Sequence, residues 1–295
     1  MAFNQTCYGL IPKPILDPTF LYYALKAGIE DIKSLSYGTV FDTITIKTFE
    51  SLLIPLPPLP EQRAIAEVLG ALDDKIELNR RMNKTLEEIA QTLFKEWFVD
   101  NPEAEGWERK PLDEIARFLN GLALQKYPPE GNDYLPVIKI AQLRKNNTED
   151  ADKASTNIPN DYIVYDADIL FSWSGSLEVV IWTGGKGALN QHLFKVTSEQ
   201  YPKWFYYLWI KNYLPEFQQI AAGKATTMGH IQRHHLTAAE VIIPAYKKLV
   251  DMNELMSPIF DQMVNINLES RILVQLRDTL LPRLMRGEIR VKEVA

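Results

Sequence analysis

A stretch with the apolar spacing of one long α-helix, Leu59–Asp100, most constrains how this chain can fold. It follows a proline-rich run at residues 55–60, and proline suits the first turn of a helix, where its missing N–H would have no partner. Apolar residues recur at alternating steps of three and four as far as Trp97, and charged residues fill the other faces. A helix of about 40 residues is about 60 Å long. Because it cannot bury its apolar stripe alone, the sequence predicts a partner helix.

A second apolar pattern of the same spacing, from Leu249 to Leu284, supplies that partner. Pro258 and Pro282 lie within it, and each could kink the helix. The two patterns align at an offset of about 187 residues, and shorter segments upstream align as well, which indicates a domain-sized internal duplication. The predicted order is domain, helix, domain, helix, with the first domain beginning partway through. The residues expected in the seam between the helices are Ile65, Leu69, Leu72, Ile76, Leu86, Leu93, Ile259, Met263, Leu273, Leu276 and Leu280.

Composition limits the class of protein. The 295 residues are 46% hydrophobic, as in globular proteins, and contain no run of about 18 apolar residues that could span a membrane. The N-terminus lacks the basic and apolar regions of a secretory signal, and the single cysteine, Cys7, allows no internal disulfide. These features predict a cytoplasmic protein without a membrane partner. The net charge of −6 argues against tight, autonomous binding to nucleic acid, although a basic partner could supply most phosphate contacts.

Local patterns predict particular elements. Residues 18–27, 112–119 and 204–213 have helical spacing, and alternation across residues 40–46 predicts a strand. Strand-like runs on both sides of Gly184–Gly187 predict a hairpin. Strands interrupted by helices, without regular alternation of the two, predict an α+β domain with a mixed sheet.

No combination of residues has catalytic or metal-binding spacing. Gly184–Gly187 lacks the spacing and the Ser/Thr of a phosphate-binding loop. Tyr127–Glu130 lacks the first and last residues of the Asn/Asp-Pro-Pro-aromatic motif of adenine methyltransferases, and no glycine-rich cofactor-binding segment precedes it. His230 and His234 are four residues apart, but no cysteine or acid stands near them at ligand spacing. The sequence therefore predicts neither an active site nor a metal site.

Several polar segments carry side chains of the types that bind phosphates and base edges. Gly223–His235 is basic, free of acidic residues and rich in Thr, Gln and Gly. Ser172–Ser176 follows an apolar strand, Gln191 and His192 lie beside the predicted hairpin, and residues 139–145 supply Lys, Gln and Arg side chains after another strand. On residue type alone, solvated loops are the simpler interpretation.

The ordered set of segments resembles one known family. LPEQRAIA opens the first long helix and TLFKEWF lies near its end, as in the central spacer of type I restriction-modification DNA specificity subunits. LRDTLLPRLMRGEI resembles the C-terminal spacer helix of that family, and DILFSWSGSLEVVIWTGGKGALNQHLFKV and KATTMGHIQRHHL resemble segments of its target-recognition domains. The resemblance covers the whole chain, but relative to the internal repeat the N-terminal portion of the first recognition domain is missing.

The resemblance implies an architecture. The fold would be α+β, with mixed-sheet target-recognition domains joined by two long antiparallel coiled-coil spacer helices. Residues 1–57 would be the remnant of a first recognition domain and residues 58–100 the central spacer helix. Residues 101–245 would form a complete recognition domain, and residues 246–295 the C-terminal spacer helix and tail.

The resemblance also implies partners. The chain would read double-stranded DNA without performing chemistry or binding a cofactor. Modification (methyltransferase) subunits would bring S-adenosylmethionine and methylate adenine, a restriction subunit would cleave after translocation, and a homodimer could rebuild two full readers. The residues that this resemblance assigns to DNA contact are Lys139, Gln142, Ser172, Trp173, Ser174, Ser176, Gln191, His192, Lys224, Thr226, Thr227, His230 and Arg233.

Two other interpretations stay open at this point. A coiled-coil adaptor without DNA reading would agree with the acidic charge, but the polar glycine-containing loops and the duplicated domain disfavour it. A fused adenine methyltransferase is disfavoured by the missing cofactor motif.

Overall fold

The computed structural model describes residues 7–34, 44–223 and 229–291. Its α-helices are α1 (Pro18–Ala27), α2 (Ile29–Ser34), α3 (Ile46–Ser51), α4 (Leu59–Phe94), α5 (Leu112–Ile115), α6 (Ile140–Lys145), α7 (Lys203–Ala222), α8 (Arg233–Ala238) and α9 (Tyr246–Met285). Its strands are β1 (Glu108–Pro111), β2 (Arg117–Asn120), β3 (Leu135–Ile138), β4 (Lys153–Ala154), β5 (Ile163–Val164), β6 (Ile169–Ser172), β7 (Val179–Ile181), β8 (Gly187–Leu189), β9 (Leu193–Thr197) and β10 (Glu240–Ile243). A π-helical turn at Lys95–Val99 follows α4, and α9 is continuous through both of its prolines. The two long helices predicted from periodicity are confirmed.

These elements form two compact units. Unit 1 comprises Met1–Arg80 and Glu269–Ala295, and unit 2 comprises Arg81–Leu268. Helices α4 and α9 each contribute residues to both units, so each unit contains a part of both long helices.

The core of unit 1 joins α1 to the two long helices. The carboxylate of Asp17 caps α1 by accepting hydrogen bonds from the N–H groups of Thr19 (2.9 Å) and Phe20 (3.0 Å), and Pro18 occupies the first turn. The buried core residues are Phe20, Tyr23 and Ala24 of α1, Ile65, Ala66 and Leu69 of α4, and Leu281, Leu284 and Met285 of α9. In unit 1, therefore, the first part of α4 packs against the last part of α9.

Gln62, in the LPEQRAIA segment, has a structural role in unit 1 and is only 1% exposed. Its Nε2 donates to the C=O groups of Ile15 (3.0 Å) and Pro57 (2.8 Å), and its Oε1 accepts from the N–H of Asp17 (2.8 Å). Leaving such backbone groups unpaired in a partly buried place would cost about 1–3 kcal/mol each. Gln62 therefore joins the segment before α1 and the proline-rich run to the start of α4.

Polar side chains join the two long helices farther along unit 1. Asp73 accepts hydrogen bonds from Tyr23 (2.8 Å) and from Arg277 (2.6 Å). Burial acts to raise the pKa of the Asp73 carboxyl, but these bonds hold it below its ordinary value. Asn79 is fully buried, and its Nδ2 donates to the carboxylate of Glu269 at 2.8 Å. Asp73 pairs with Arg277, and Asn79, later in α4, pairs with the earlier α9 residue Glu269, so the two helices are antiparallel. A buried asparagine between helices specifies such a register.

Leu276 is not a seam residue, and that prediction is wrong, because the residue is 44% exposed. Arg277 occupies the seam instead, with its side chain 15% exposed and its guanidinium on Asp73. Arginine can bury its aliphatic stem while its charged end is paired. Arg277 therefore occupies the seam position at which the heptad spacing predicted Leu276. Of the other predicted seam residues, Ile65, Leu69 and Met263 are buried, and Leu72, Ile76, Leu86, Leu93, Ile259, Leu273 and Leu280 are half-buried.

In the described part of the chain, unit 2 contains two four-stranded sheets and a two-stranded ribbon. The first sheet has the order β2-β9-β6-β7 and is antiparallel throughout. The second has the order β4-β3-β8-β5, in which β3 and β8 are parallel and the other pairs antiparallel. The ribbon pairs β1 with β10, from Glu108 opposite Ile243 to Pro111 opposite Glu240. This arrangement confirms the α+β class with a mixed sheet.

Helix α7 lies in the middle of the unit 2 core. Every side chain from Trp204 to Ile210 is buried. The rings of Phe205 and Trp209 meet Phe98 of the π-helical turn at centroid distances of 5.6 Å each. Other core members from the long helices are Ala90 and Phe94 of α4 and Leu249, Met252, Met256, Phe260 and Met263 of α9. In unit 2, therefore, α7 packs on the last part of α4 and the first part of α9.

A buried polar contact adds to this packing. The hydroxyl of Tyr207 donates to Glu87 of α4 at 3.0 Å, and Lys211 forms an ion pair with the same carboxylate. Burial lowers the pKa of Lys211 to about 8. One turn of α7 thus presents two donors to a single acid on α4.

The predicted hairpin at Gly184–Gly187 is wrong. Strand β7 pairs with β6, whereas β8 lies between β3 and β5 in the other sheet. The glycine-rich segment is a crossover between sheets, and a Cβ at Gly187 would lie 2.8 Å from the C=O of Pro136. Alternation along a chain predicts a strand but does not identify its partner.

Two further element predictions are corrected. Residues 112–119 form helix only as far as Ile115 and then enter β2. Residues 46–51 form α3, and Ile46 is 65% exposed rather than half-buried in a strand. Residues 44–45 of that predicted strand are described and have no strand assignment, and residues 40–43 lie outside the described residues. A strand needs a neighbour to accept its hydrogen bonds, and none is described beside α3.

Candidate nucleic-acid interface

One edge of the sheet β2-β9-β6-β7 collects most of the polar segments that the sequence singled out. Because neighbouring strands are antiparallel, β2 and β6 end at the same edge at which β9 and β7 begin. Segments far apart in the sequence therefore lie side by side. The group formed there, called the sheet-edge cluster below, consists of Asn120, Trp173, Ser174, Gln191, His192 and His230.

Trp173 joins the members of this cluster. Its Nε1–H donates to Oδ1 of Asn120 (2.8 Å) and to the C=O of Gln191 (3.2 Å). Its ring lies 5.9 Å from that of His192 and meets the ring of His230 edge-on at 6.3 Å. The indole thus contacts three separate polar segments and fixes them relative to one another.

Backbone pairing holds the segment around His230 at the same edge. Ser174 and His230 form an isolated antiparallel bridge, and the N–H of Gly175 donates to the C=O of Gly229 at 2.8 Å. A Cβ at Gly229 would lie 2.3 Å from the C=O of Ala221, so only glycine fits there. The described end of the predicted Gly223–His235 loop is therefore ordered against the sheet.

Ser174 and His192 form a positioning contact. The Ser174 side chain is 3% exposed, and its Oγ lies 3.0 Å from Nδ1 of His192. Because Ser174 is buried, its hydroxyl orients the imidazole and is not presented to DNA, contrary to its predicted role in DNA contact.

Ser172 does not present its hydroxyl to the surface, contrary to its predicted role in DNA contact. It is fully buried, and its Oγ donates to the C=O of Ser176 (2.7 Å) and accepts from the N–H of Glu178 (2.7 Å), which closes the β6–β7 turn. The half-buried Ser176 accepts from Arg144 at 2.5 Å, and Nε of Arg144 also donates to Glu178 at 2.8 Å. The hydroxyl of Ser172 is therefore used inside the protein, and the partly exposed guanidinium of Arg144 on α6 pairs with this turn through Glu178.

Helix α6 begins beside the cluster. The N–H of Asn190 donates to the C=O of Ile138 at 3.2 Å, which joins the end of β8 to the residue before Lys139. Gln142 is 6% exposed, and its Oε1 accepts from the N–H of Lys139 at 3.3 Å, so it caps α6 and is not available for DNA contact. The half-exposed ammonium of Lys139 forms an ion pair with Asp152.

Arg233 lies at the start of α8 beside an open cleft of about 740 Å³. Its Nη2 donates to the C=O of Phe118 (3.3 Å), and its guanidinium lies 5.8 Å from the centre of the Phe194 ring. Asn120 lines the same cleft. Charged lining residues of both signs are Asp113, Glu114, Arg117, Glu199 and Arg233.

Three predicted DNA contacts, Lys224, Thr226 and Thr227, lie outside the described residues. Asn120 is the cluster member that sequence reasoning missed. In the sequence it is a single asparagine before Gly121, which is a turn signal and gives no functional information. Its position became evident only when strand pairing placed it beside Trp173.

The exposed groups at this edge suit a nucleic acid. Arginine guanidinium and asparagine amide groups donate hydrogen bonds to phosphates and to base edges, and aromatic rings stack or pack against bases. Within the described ranges, no three His, Cys, Asp or Glu side chains are grouped to hold a metal ion.

The sequence matches the family model described as the type I restriction modification DNA specificity domain, over residues 1–88 and 104–278. The chain belongs to this family. The matched ranges contain the whole sheet-edge cluster and most of α4 and α9.

Named relatives extend over most of the chain. The type I restriction enzyme MjaIX specificity subunit of Methanocaldococcus jannaschii is 30% identical over 323 aligned positions, which cover 100% of this chain and 74% of the relative. The type I restriction enzyme HindI specificity subunit of Haemophilus influenzae is 24% identical, with coverage of 93% and 78%.

A solved structure agrees in fold. The crystal structure of the S subunit of a type I restriction-modification system from M. genitalium superposes with a TM-score of 0.55 at 19% identity, covering 92% of this chain and 74% of that one. Among the described helices, none combines the length and apolar character needed to cross a lipid bilayer.

Proposed function

We propose that this chain is the DNA sequence-recognition subunit of a type I restriction-modification assembly. Unit 2 reads one half of a split target, and the chain directs adenine methylation and restriction that partner subunits carry out. The chain itself performs no chemistry. Membership of the specificity-domain family supports this role.

The observation that carries the proposal is the sheet-edge cluster. Three segments, at residues 120, 173–176 and 191–192, converge on one edge with His230, and Arg144 and Arg233 flank them. Side chains held by a sheet and by one another are preorganised, so little conformational entropy remains to be lost on binding. A coiled-coil adaptor would have no need of such a surface.

The charge of the chain indicates which contacts to DNA it makes and which its partner subunits make. With a formal net charge of −6, it is poorly suited to bind phosphates unaided. We therefore propose that modification subunits supply most phosphate contacts and the S-adenosylmethionine, and that a restriction subunit supplies cleavage. The chain would then contribute the selection of sequence.

The test compares the purified chain, its modification subunit and the two together on a randomised duplex library at one salt concentration. The combined sample should enrich one bipartite sequence, and neither component alone should do so. Enrichment of that sequence by the modification subunit without this chain would refute the proposal. Calorimetric titration with S-adenosylmethionine should give heat with the modification subunit and none with this chain, and binding by the isolated chain would instead support a fused methyltransferase.

We also propose that two copies associate through unit 1, which would supply a second unit 2 for the other half of a split site. Exposed apolar side chains support this: Ile11 is 92% and Leu53 is 93% exposed, and apolar residues line a groove of about 530 Å³ in unit 1. Sedimentation equilibrium should show a dimer that Ile11→Asp or Leu53→Asp converts to monomer. A wild-type chain that stays monomeric at every concentration would refute the dimer.

A further inference from the structure

We propose that Asn120 reads a base, that Trp173 holds its carboxamide in one orientation, and that the pair selects a base edge rich in hydrogen-bond acceptors. This inference rests on the proposed function of unit 2.

The orientation of the Asn120 carboxamide follows from the chemistry of its neighbour. An indole Nε1–H can only donate a hydrogen bond. The atom of Asn120 that lies 2.8 Å from Trp173 Nε1 must therefore be the oxygen, Oδ1. The NH₂ group consequently occupies the other position, and its two N–H bonds remain to donate elsewhere.

The indole that sets this orientation is itself fixed. Its N–H also donates to the C=O of Gln191 at 3.2 Å, and its ring packs near Phe194 (6.0 Å) and His192 (5.9 Å). Phe194 is 6% exposed and lies directly opposite Asn120 in the β2–β9 register. Rotation of the indole would break these hydrogen bonds and ring contacts.

The backbone that carries Asn120 is equally constrained. The N–H of Gly121 donates to the C=O of Leu193 at 3.0 Å. A Cβ at Gly121 would lie 2.2 Å from the C=O of Asn190, so the chain passes directly against the neighbouring segment. Asn120 is nevertheless exposed at the end of an edge strand, so a rigid backbone presents an accessible amide.

This geometry favours particular bases. Asparagine that reads adenine uses its oxygen and its NH₂ together, because that edge offers a donor beside an acceptor. Here one of the two lone pairs of Oδ1 already accepts from the indole, so the group that is fully available is the NH₂ donor. Guanine N7 and O6 and thymine O4 are the matching acceptors in the major groove. Arg233 lines the same cleft and adds further donors, which also fits an acceptor-rich edge.

The decisive variant is Asn120→Asp in the assembled complex with modification subunits. It keeps the shape and an oxygen for Trp173 to donate to, but it replaces the NH₂ donor by an acceptor. Preference at one base pair of the half-site should fall roughly 5- to 150-fold, the range for loss of one good base contact. Asn120→Ala should weaken the preference at the same base pair. Trp173→Phe, which keeps a ring but removes the N–H, should weaken that preference in part.

Asn212→Asp is the matched control, since it makes the same change of charge at an exposed asparagine on α7 of the same unit. It should leave the base preferences of the complex unchanged. Thermal melts of all variants check that each one is folded.

The outcomes separate this inference from the proposed function. If the wild-type complex selects no sequence, the proposed function fails and this inference fails with it. If the wild type selects a sequence and both Asn120 variants retain its full base preferences, Asn120 does not read a base and the proposed function stands. An equal loss of affinity on every sequence for the uncharged variant Asn120→Ala would also overturn base reading, because it is the signature of a phosphate contact.

Discussion

Replacing Leu69 by alanine tests the packing of unit 1 at its centre. Leu69 is fully buried among residues of three helices, including Phe20 of α1 and Leu284 of α9. Leucine-to-alanine changes in cores cost about 2–5 kcal/mol, with larger values where the surroundings cannot collapse. The cavity left by Leu69→Ala would be lined by three different helices, which cannot all move inward to fill it. We therefore expect the free energy of unfolding to fall by about 3–5 kcal/mol.

Urea unfolding followed by circular dichroism measures this loss, and Leu78→Ala on the same helix is the matched control. Leu78 is 52% exposed, so its truncation should change the free energy of unfolding by less than about 0.5 kcal/mol. Because the chain has two compact units, the loss should appear in the transition that reports unit 1. If Leu69→Ala unfolds like Leu78→Ala, α4 does not pack against α1 and α9 as described.

Three further outcomes are expected. Leu276→Asp should change the free energy of unfolding by less than about 0.5 kcal/mol. Arg277→Met should lower it by about 1–3 kcal/mol, because Asp73 loses a charged donor. Equal urea midpoints for the two variants would contradict a seam that contains Arg277 and not Leu276. Because burial lowers the pKa of Lys211 to about 8 from the ordinary 10.5, the folded chain loses this proton first, so stability should rise with pH between those values. Lys211→Met should abolish that rise in melts from pH 7 to pH 10, and an unchanged pH dependence would show that Lys211 is not its source. Ser172→Ala should cost about 1–3 kcal/mol by leaving the N–H of Glu178 unpaired, and an altered base preference would show that Ser172 acts on DNA after all.

The long helices could be predicted from the sequence because their apolar spacing persists over many turns. The period identifies a face but not each residue on it. Leu276 and Arg277 are adjacent, and only the partner Asp73 determines that the arginine occupies the seam. Information of that kind lies in the opposite helix, not in the local pattern.

The sheets were less predictable because strand pairing is not local. The runs beside Gly184–Gly187 had the pattern of strands, yet β7 and β8 belong to different sheets. The same non-local pairing explains the site: the polar segments were recognisable one at a time, but Asn120 acquires significance only from its neighbours across the sheet. Ser172 and Gln142 illustrate the converse, since polar side chains suited to DNA are used inside the protein.

The pairing of β1 with β10 has a consequence for how this protein can change. Glu108 lies opposite Ile243 and Pro111 opposite Glu240, so the chain enters and leaves the intervening domain at neighbouring points. Paired strands of this kind are only about 5 Å apart. The segment between them therefore has a two-stranded stem, but its helix α7 also packs on α4 and α9. A foreign domain grafted at this stem would need closely spaced ends and also an apolar helix face that fits the same surfaces of α4 and α9.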